Sequence, residues 1–414
     1  MLYRCLLILW LYCSVNVQAW AVEHPVIFKS LVEQSQPDKA GPGQAFYTLE
    51  QAIDYYQQLN WQHRWPQLAE GPLLREGDRN PQIATLRQQL FLLGDYPRLT
   101  TLTRDSQRFD QTLTLALKRF QQRHGAKVDG ILGPDSRSML NVPPIQRINQ
   151  LIVNQYRIKA FSETAGQRYL QVNIPEFRLR FINGGEVLLQ MKTIVGRKKR
   201  KTPVFTTEIQ ALILNPSWTV PKSIAWKDII PVWMQKPNYP ERLNLQVARG
   251  WGEQRELLNS SEIDPESMYL GRNYTYFWEA PGPDNTLGRL KFMSRSRYAI
   301  YLHDTSAPGL FNEPHRAFSS GCIRVEKAQL LAERLLEVDS PQQSGLLTEM
   351  LATTETGEIH LRQPVAVHMT YWTAWIDQSG VLNFRNDIYK RDSWELTQLT
   401  GSAQNEAMVP QAVD

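Results

Sequence analysis

RYLQVNIPEFRLRFINGGEVLLQM, residues 168–191, decides the fold of the larger part of this 414-residue chain. Val172 and Ile174, then Leu179 and Phe181, then Val187, Leu189 and Met191 alternate with polar side chains. That period of two lays one face of a strand against a core. Asn183-Gly184-Gly185 between the second and third runs supplies a hairpin turn, where positive φ is needed and glycine takes it without steric cost. Further strands are expected at 203–214, 298–302 and 365–371, so this half reads as a mainly antiparallel β-sandwich or barrel-like sheet. Residues 221–286 interrupt the pattern with Trp226, Trp233, Trp251, Tyr269, Tyr274, Tyr276 and Trp278 among prolines and glycines. They suit either an insertion folded over the sheet or a second small core.

Upstream the period is helical. Leu49, Ile53, Tyr56 and Leu59 make a lead-in within 22–72. Ile83, Leu86, Leu90 and Leu93 line one face before Gly94, and Leu113, Leu117 and Phe120 repeat the spacing before His124-Gly125. A third helix runs from Pro134 to about Leu140. The class is therefore α+β, with a small three-helix domain at 73–142, a β domain at 143–392 and a tail at 393–414.

The first 21 residues read as a secretory signal peptide, with Arg4, an apolar run from Leu6 to Val15, and small residues at Val17-Gln18-Ala19 or Ala19-Trp20-Ala21; a retained membrane anchor is the other reading, though the run is shorter than the ~20 residues a span needs. Such a chain would act outside the cytoplasm, in the periplasm, with no membrane span after cleavage. Cys5 and Cys13 fall in that leader, so Cys322 becomes the sole thiol of the processed chain and cannot form an internal disulfide. It is either an inert core residue or a thiol kept for chemistry. The net charge of +5 is too small for this length to imply nucleic acid as partner. The run Arg197-Lys198-Lys199-Arg200-Lys201 reads as a solvated loop between strands or a contact for acidic peptide or glycan.

Chemistry concentrates between 298 and 324. Tyr298-Ala299-Ile300-Tyr301-Leu302 reads as a strand that ends on His303 and Asp304. Cys322 follows in Ser319-Ser320-Gly321-Cys322-Ile323-Arg324, ahead of a helix with Ala328, Leu331 and Leu335 on one face. A helix N-terminus lowers a thiol pKa, and a histidine can take the thiol proton. Gly321 allows close backbone approach, the N–H groups of Gly321 and Cys322 could hold an oxyanion, and Arg324 suits a substrate carboxylate.

These residues resemble the L,D-transpeptidase catalytic domain, whose hallmark is a histidine followed after a loop by a Ser-His-Gly-Cys type motif. The likeness extends to Gly196, Thr202-Pro203, Asn215-Pro216-Ser217-Trp218, Pro281-Gly282-Pro283-Asp284-Asn285, Leu287-Gly288 and the stretch from Tyr371-Trp372 to Asp387-Ile388-Tyr389. Those last segments are similar to the larger, capped branch of the family. Leu74-Arg75-Glu76-Gly77-Asp78, Phe109-Asp110, Phe120-Gln121 and Val128-Asp129-Gly130 resemble the three-helix peptidoglycan-binding domain. The resemblance implies Cys322 as nucleophile and His303 as base, with Asp304 orienting the imidazole through its carbonyl or its carboxylate. It implies Gly321 and Cys322 as the oxyanion hole, Arg324, Tyr301 and Ser320 at the substrate, and 221–286 as a cap. It further implies peptidoglycan stem peptides as partners, a tetrapeptide donor and an amine acceptor, joined 3→3 through a thioester. Hydrolysis of the same thioester, or wall binding without catalysis, are the other readings. Ser320 stands where the common motif has histidine, which leaves His303 as the base.

No metal and no cofactor are expected: His303, Asp304, His315 and Cys322 lie within twenty residues but without the compact pair spacing of zinc sites. His315 is expected on a solvent-facing loop, His368 within a strand in a structural role, and His124 at a helix end.

Overall fold

A computed structural model describes residues 45–62, 64–97 and 106–406, so the expected leader, with Cys5 and Cys13, lies outside the described residues. Packing divides the chain into two compact units, one ending at Thr164 and resuming at Trp372, the other Ala165–Tyr371.

The first unit is helical: α1 Leu49–Gln62, α2 Gln82–Leu92, α3 Gln111–His124, α4 Pro134–Leu140 and α5 Pro144–Ser162. Ile83, Leu86 and Leu90 of α2 meet Leu113, Leu117 and Phe120 of α3 in one core, closed by Leu132 and Leu140. Local chemistry sets the boundaries of α3. Asp110 caps its start by accepting the Leu113 N–H at 2.9 Å, and Gly125 ends it at φ 68°. The Asp-Gly loop that follows is organised by one buried side chain. Gln121 Oε1 accepts the Asp129 and Gly130 N–H groups at 3.1 and 2.8 Å while its Nε2 donates to the Ile131 carbonyl at 3.1 Å.

A second core joins α1 and α5 to the hairpin Ala374–Ile376 and Leu382–Phe384. The stretch from Trp372, which the sequence attaches to the β half, thus packs with the helical unit, as does α5. Thr373 is fastened there by the Asn154 side chain, and Asp392 by Arg157 at 2.7 Å. His124 sits at the end of α3, stacked on Phe120 at 3.9 Å between ring centroids.

The second unit is built on strands β1 Arg168–Asn173, β2 Arg178–Asn183, β3 Glu186–Gly196, β4 Phe205–Leu214, β5 Trp218–Thr219, β6 Gln246–Arg249, β7 Glu256–Leu258, β8 Tyr276–Glu279, β9 Leu290–Ser294, β10 Leu302–His303, β11 Ala317–Ser319, β12 Ile323–Val325 and β13 Gly357–Thr370. Nine of them form one sheet in the order β11-β3-β12-β10-β9-β4-β13-β1-β2, and β2 pairs again with β3, which closes it into a barrel. Closure depends on the length of β3. Its residues up to Lys192 pair with β2, Thr193 and Ile194 pair with β12, and Val195 and Gly196 pair with β11. Most pairings are antiparallel; β1–β13, β10–β12 and β11–β3 are parallel. Leu170, Val172, Leu179, Phe181, Leu212, Phe292, Leu302 and Ile323 are fully buried in the core.

The strand expected at 298–302 shrinks to Leu302–His303, because Ala299 turns to φ 51° and takes the chain out of the extended region. The insertion supplies β6, β7 and β8 of a four-stranded antiparallel sheet, β5-β8-β6-β7, with short helices, and β5 lies just before it. It has a core of its own, in which Val220, Ile230, Trp233, Val247, Met268 and Phe277 are buried.

Candidate active site

Register brings the expected residues together. In the parallel pair β10–β12, Leu302 lies opposite Ile323 and His303 opposite Arg324, which sets Tyr301 opposite Cys322. Leu302 and Ile323 point into the core, so Tyr301, His303, Cys322 and Arg324 share the other face. On the far side of β10, the antiparallel partner of His303 is Lys291. His303 and Cys322 are diagonal neighbours on that face.

His303 is buried, and its Nδ1 lies 2.6 Å from the Asp304 carbonyl oxygen. That contact makes Nδ1 the protonated nitrogen and leaves Nε2 as the acceptor. Burial, then the positive charges of Arg324 and Lys291, push the imidazole pKa down to about 3, against the pull of the Asp304 and Leu287 carbonyls. The imidazole is therefore neutral at rest. Asp304 meets the imidazole through its carbonyl, and its carboxylate is engaged elsewhere: Oδ2 accepts the Arg289 N–H at 2.9 Å. Gly288, at φ 63°, makes room for that carboxylate, since a Cβ there would lie 2.5 Å from Asp304 Cγ.

Cys322 is half-buried, with Sγ 3.9 Å from the Ala299 carbonyl oxygen. Burial raises its pKa, while the Tyr301 N–H, Lys291, Arg324 and the Tyr301 hydroxyl draw it back. The expectation that a helix N-terminus activates this thiol is not met. Ile323–Val325 is a strand and the next helix begins only at Ala328, beyond the single turn over which a helix dipole acts. Thiolate stabilisation falls instead to the Tyr301 donors and to two cations on neighbouring strands.

Gly321 takes φ 124°, a conformation strained for any residue with a side chain. Its N–H donates to Ser319 Oγ at 3.0 Å, so one expected oxyanion donor is already engaged. Its carbonyl accepts from Thr202 Oγ1 at 2.7 Å, and the same hydroxyl oxygen accepts the Gly196 N–H at 2.9 Å. Ser320 is exposed and accepts from Arg200 Nη1 at 3.0 Å. Arg200 and Arg197 of the basic loop both pair with Asp228 of the insertion, at 2.6 and 3.1 Å. The loop is therefore a bridge from the motif to the insertion.

Three of these participants escaped the sequence reading. Lys291 lies between Leu290 and Phe292 in a strand that was not foreseen; a lone charge inside an apolar alternation was its only signal. Thr202 stood out only within the Thr-Pro resemblance, and Asp228 carried no signal. Among the histidines set aside, His315 is exposed. His368 is buried between Thr206 Oγ1 and the Ala165 carbonyl at 2.9 and 3.1 Å. No group of three or more metal-ligating side chains occurs among the described residues.

Residues 167–351 match the YkuD profile, an L,D-transpeptidase catalytic domain, and residues 79–140 match a putative peptidoglycan binding domain. A curated relative, a putative L,D-transpeptidase of Haemophilus influenzae, is 35% identical over 221 residues, which are 53% of this chain and 44% of that protein. The match thus spans less than half of the relative's length. Among solved structures, an L,D-transpeptidase from Xylanimonas cellulosilytica is 10% identical, with 73% of this chain and 100% of that one covered at a TM-score of 0.21. One from Stackebrandtia nassauensis is 13% identical, with 73% and 96% covered at 0.26.

Proposed function

We propose that this chain, which carries a YkuD L,D-transpeptidase catalytic domain behind a peptidoglycan-binding domain, forms 3→3 cross-links in peptidoglycan through a thioester on Cys322. The observation that carries the reading is a half-buried thiol on the same face as a neutral histidine whose tautomer is fixed by the Asp304 carbonyl. Nε2 of His303 takes the Sγ proton as sulfur attacks the carbonyl of the third residue of a tetrapeptide stem. The Cys322 N–H and the Tyr301 hydroxyl stabilise the oxyanion, joined by the Gly321 N–H once Ser319 releases it. His303 then gives its proton to the leaving nitrogen of the fourth residue as the C–N bond breaks. An amine of a second stem attacks the thioester, loses a proton to His303 and expels the thiolate.

The insertion, tied to Ser320 through Arg200 and Asp228, acts as a cap over the donor groove. The binding domain keeps the enzyme at the wall, and export by residues 1–21 puts it in the periplasm. No helix among the described residues is long and apolar enough to cross a membrane. Incubation with disaccharide-tetrapeptide, followed by mass spectrometry, is expected to give a cross-linked dimer that disappears in Cys322→Ala. Tripeptide without dimer would make the enzyme a carboxypeptidase, and unchanged products from the variant would remove the thioester.

A further inference from the structure

One loop grips three consecutive residues of the turn that carries the thiol. The Arg197 N–H donates to the Ser319 carbonyl at 2.9 Å, Arg200 Nη1 to Ser320 Oγ at 3.0 Å and Thr202 Oγ1 to the Gly321 carbonyl at 2.7 Å. The loop is itself compact. The Arg200 N–H donates to the Arg197 carbonyl at 2.8 Å, and a Cβ on Gly196 would collide with the Arg200 carbonyl, so the chain folds back where a larger residue has no room. The turn needs such holds, because Gly321 at φ 124° is a glycine whose backbone is free to take other conformations.

The same arginines reach the insertion. Arg200 Nη1 also meets Asp228 Oδ2 at 2.6 Å, Arg197 Nη2 meets that oxygen at 3.1 Å, and Arg200 Nη2 donates to the Ser223 carbonyl at 3.2 Å. Among the described residues Asp228 is the only carboxylate that pairs with either arginine. It stands in the helical turn Ala225–Ile229, whose Ala225 and Ile229 are buried in the core of the insertion. The carboxylate is therefore mounted on the insertion. The Arg200 guanidinium that it meets is 15% exposed, too enclosed to be left without an anion.

We infer that Asp228 is a positioning residue for the nucleophile: it aims the Arg200 guanidinium, which holds the Ser320 hydroxyl, so that the Ser320-Gly321-Cys322 turn is set only while the insertion is docked. This rests on the reading of Cys322 as nucleophile and extends it to a residue outside the barrel. Nη1 carries two hydrogens; the carboxylate takes one and leaves the other directed at Ser320. Without the negative charge the guanidinium gains more from water than from its cleft, and the Ser320 hydroxyl loses its donor. Arg197 and Arg200 are then internal couplers, occupied by the insertion and not offered to an acidic ligand.

The test is hydrogen exchange followed by mass spectrometry on the full chain, read in a peptide covering 317–325 and, as reference, in one covering the β1–β2 hairpin. Asp228→Asn keeps the size and an acceptor oxygen and removes the charge. It is expected to speed exchange in 317–325 by about 3- to 10-fold, the worth of two partly exposed ion pairs, and to leave the hairpin within about twofold. Asp228→Glu should keep wild-type protection. Raising salt from about 0.1 M to about 1 M shortens the screening length from about 10 Å to about 3 Å, so it should move the wild type toward the Asn variant and move that variant less. Unchanged exchange in 317–325, an equal rise in the hairpin, or the same salt response in both proteins would overturn the proposal. Acylation of Cys322 by saturating disaccharide-tetrapeptide separates the two readings, and a rate lower by about 3- to 10-fold is expected in Asp228→Asn. No acylation in the wild type with the exchange result intact would remove transpeptidation and keep the hold; wild-type acylation by Asp228→Asn would overturn the hold.

Discussion

Thr202→Val tests whether the Cys322 amide is aimed by a residue far away in sequence. Thr202 is 1% exposed, and its hydroxyl accepts from the Gly196 N–H and donates to the Gly321 carbonyl. The Gly321 carbonyl and the Cys322 N–H belong to one peptide plane, so holding the oxygen also fixes the direction of the N–H toward the oxyanion. Valine matches threonine in shape and opens no cavity, and it removes the hydroxyl that serves the Gly196 N–H and the Gly321 carbonyl. At about 1–3 kcal/mol for each of the two buried groups deprived of a partner, the loss of stability is about 2–6 kcal/mol. Losing an oxyanion donor outright costs about 10²–10³ in rate, so a misaimed one should cost about 10- to 100-fold. Urea unfolding followed by tryptophan fluorescence measures the first, and the rate of thioester formation by quenched mass spectrometry measures the second. Thr202→Ser should restore both. Acylation within about twofold of wild type, whatever happens to stability, would refute the claim that this hydroxyl aims the amide.

Two further outcomes follow from the imidazole and its neighbour. Asp304→Asn keeps the backbone carbonyl on Nδ1 and an acceptor oxygen for the Arg289 N–H, so kcat should stay within about fivefold; a fall near 10⁴, as for a triad carboxylate, would mean that the carboxylate itself serves the histidine. His303 is held neutral down to about pH 3, whereas in the unfolded chain it protonates below about 6.5. Between those values the unfolded state binds the extra proton, so stability rises with pH and is lost as pH falls, by about 1.4 kcal/mol per unit. Chemical denaturation of wild type against His303→Gln from pH 7 to 4 should show that slope reduced in the variant, and parallel curves would contradict the buried neutral imidazole. The acid limb of kcat/KM should likewise lie below pH 5, because that parameter reports the free enzyme.

Where the sequence reading succeeded, the information was local. The alternation from Val172 to Met191 and the Asn183-Gly184-Gly185 turn specify a hairpin because side-chain direction repeats every second residue. Asp110 and Gly125 mark the ends of α3 because caps act within one turn. The same locality misled at 298–302 and at the thiol. Apolar residues in 298–302 do not reveal that Ala299 turns to positive φ, and a helical pattern after Cys322 does not reveal that Ile323–Val325 must first extend to pair with β3 and β10.

By itself, then, the sequence determined the chemical identity of the candidate centre: a thiol after Gly321, a histidine at a strand end, and an arginine two residues past the thiol. Tertiary structure alone decided what surrounds them. Lys291 lies beside His303 because β9 pairs with β10, Thr202 reaches Gly321 across 119 residues, and Arg200 joins Ser320 to Asp228. Each of these contacts arises from barrel closure or from loops that the barrel brings together. Strand register is set by burial summed over the whole sheet, so no short stretch of sequence carries it.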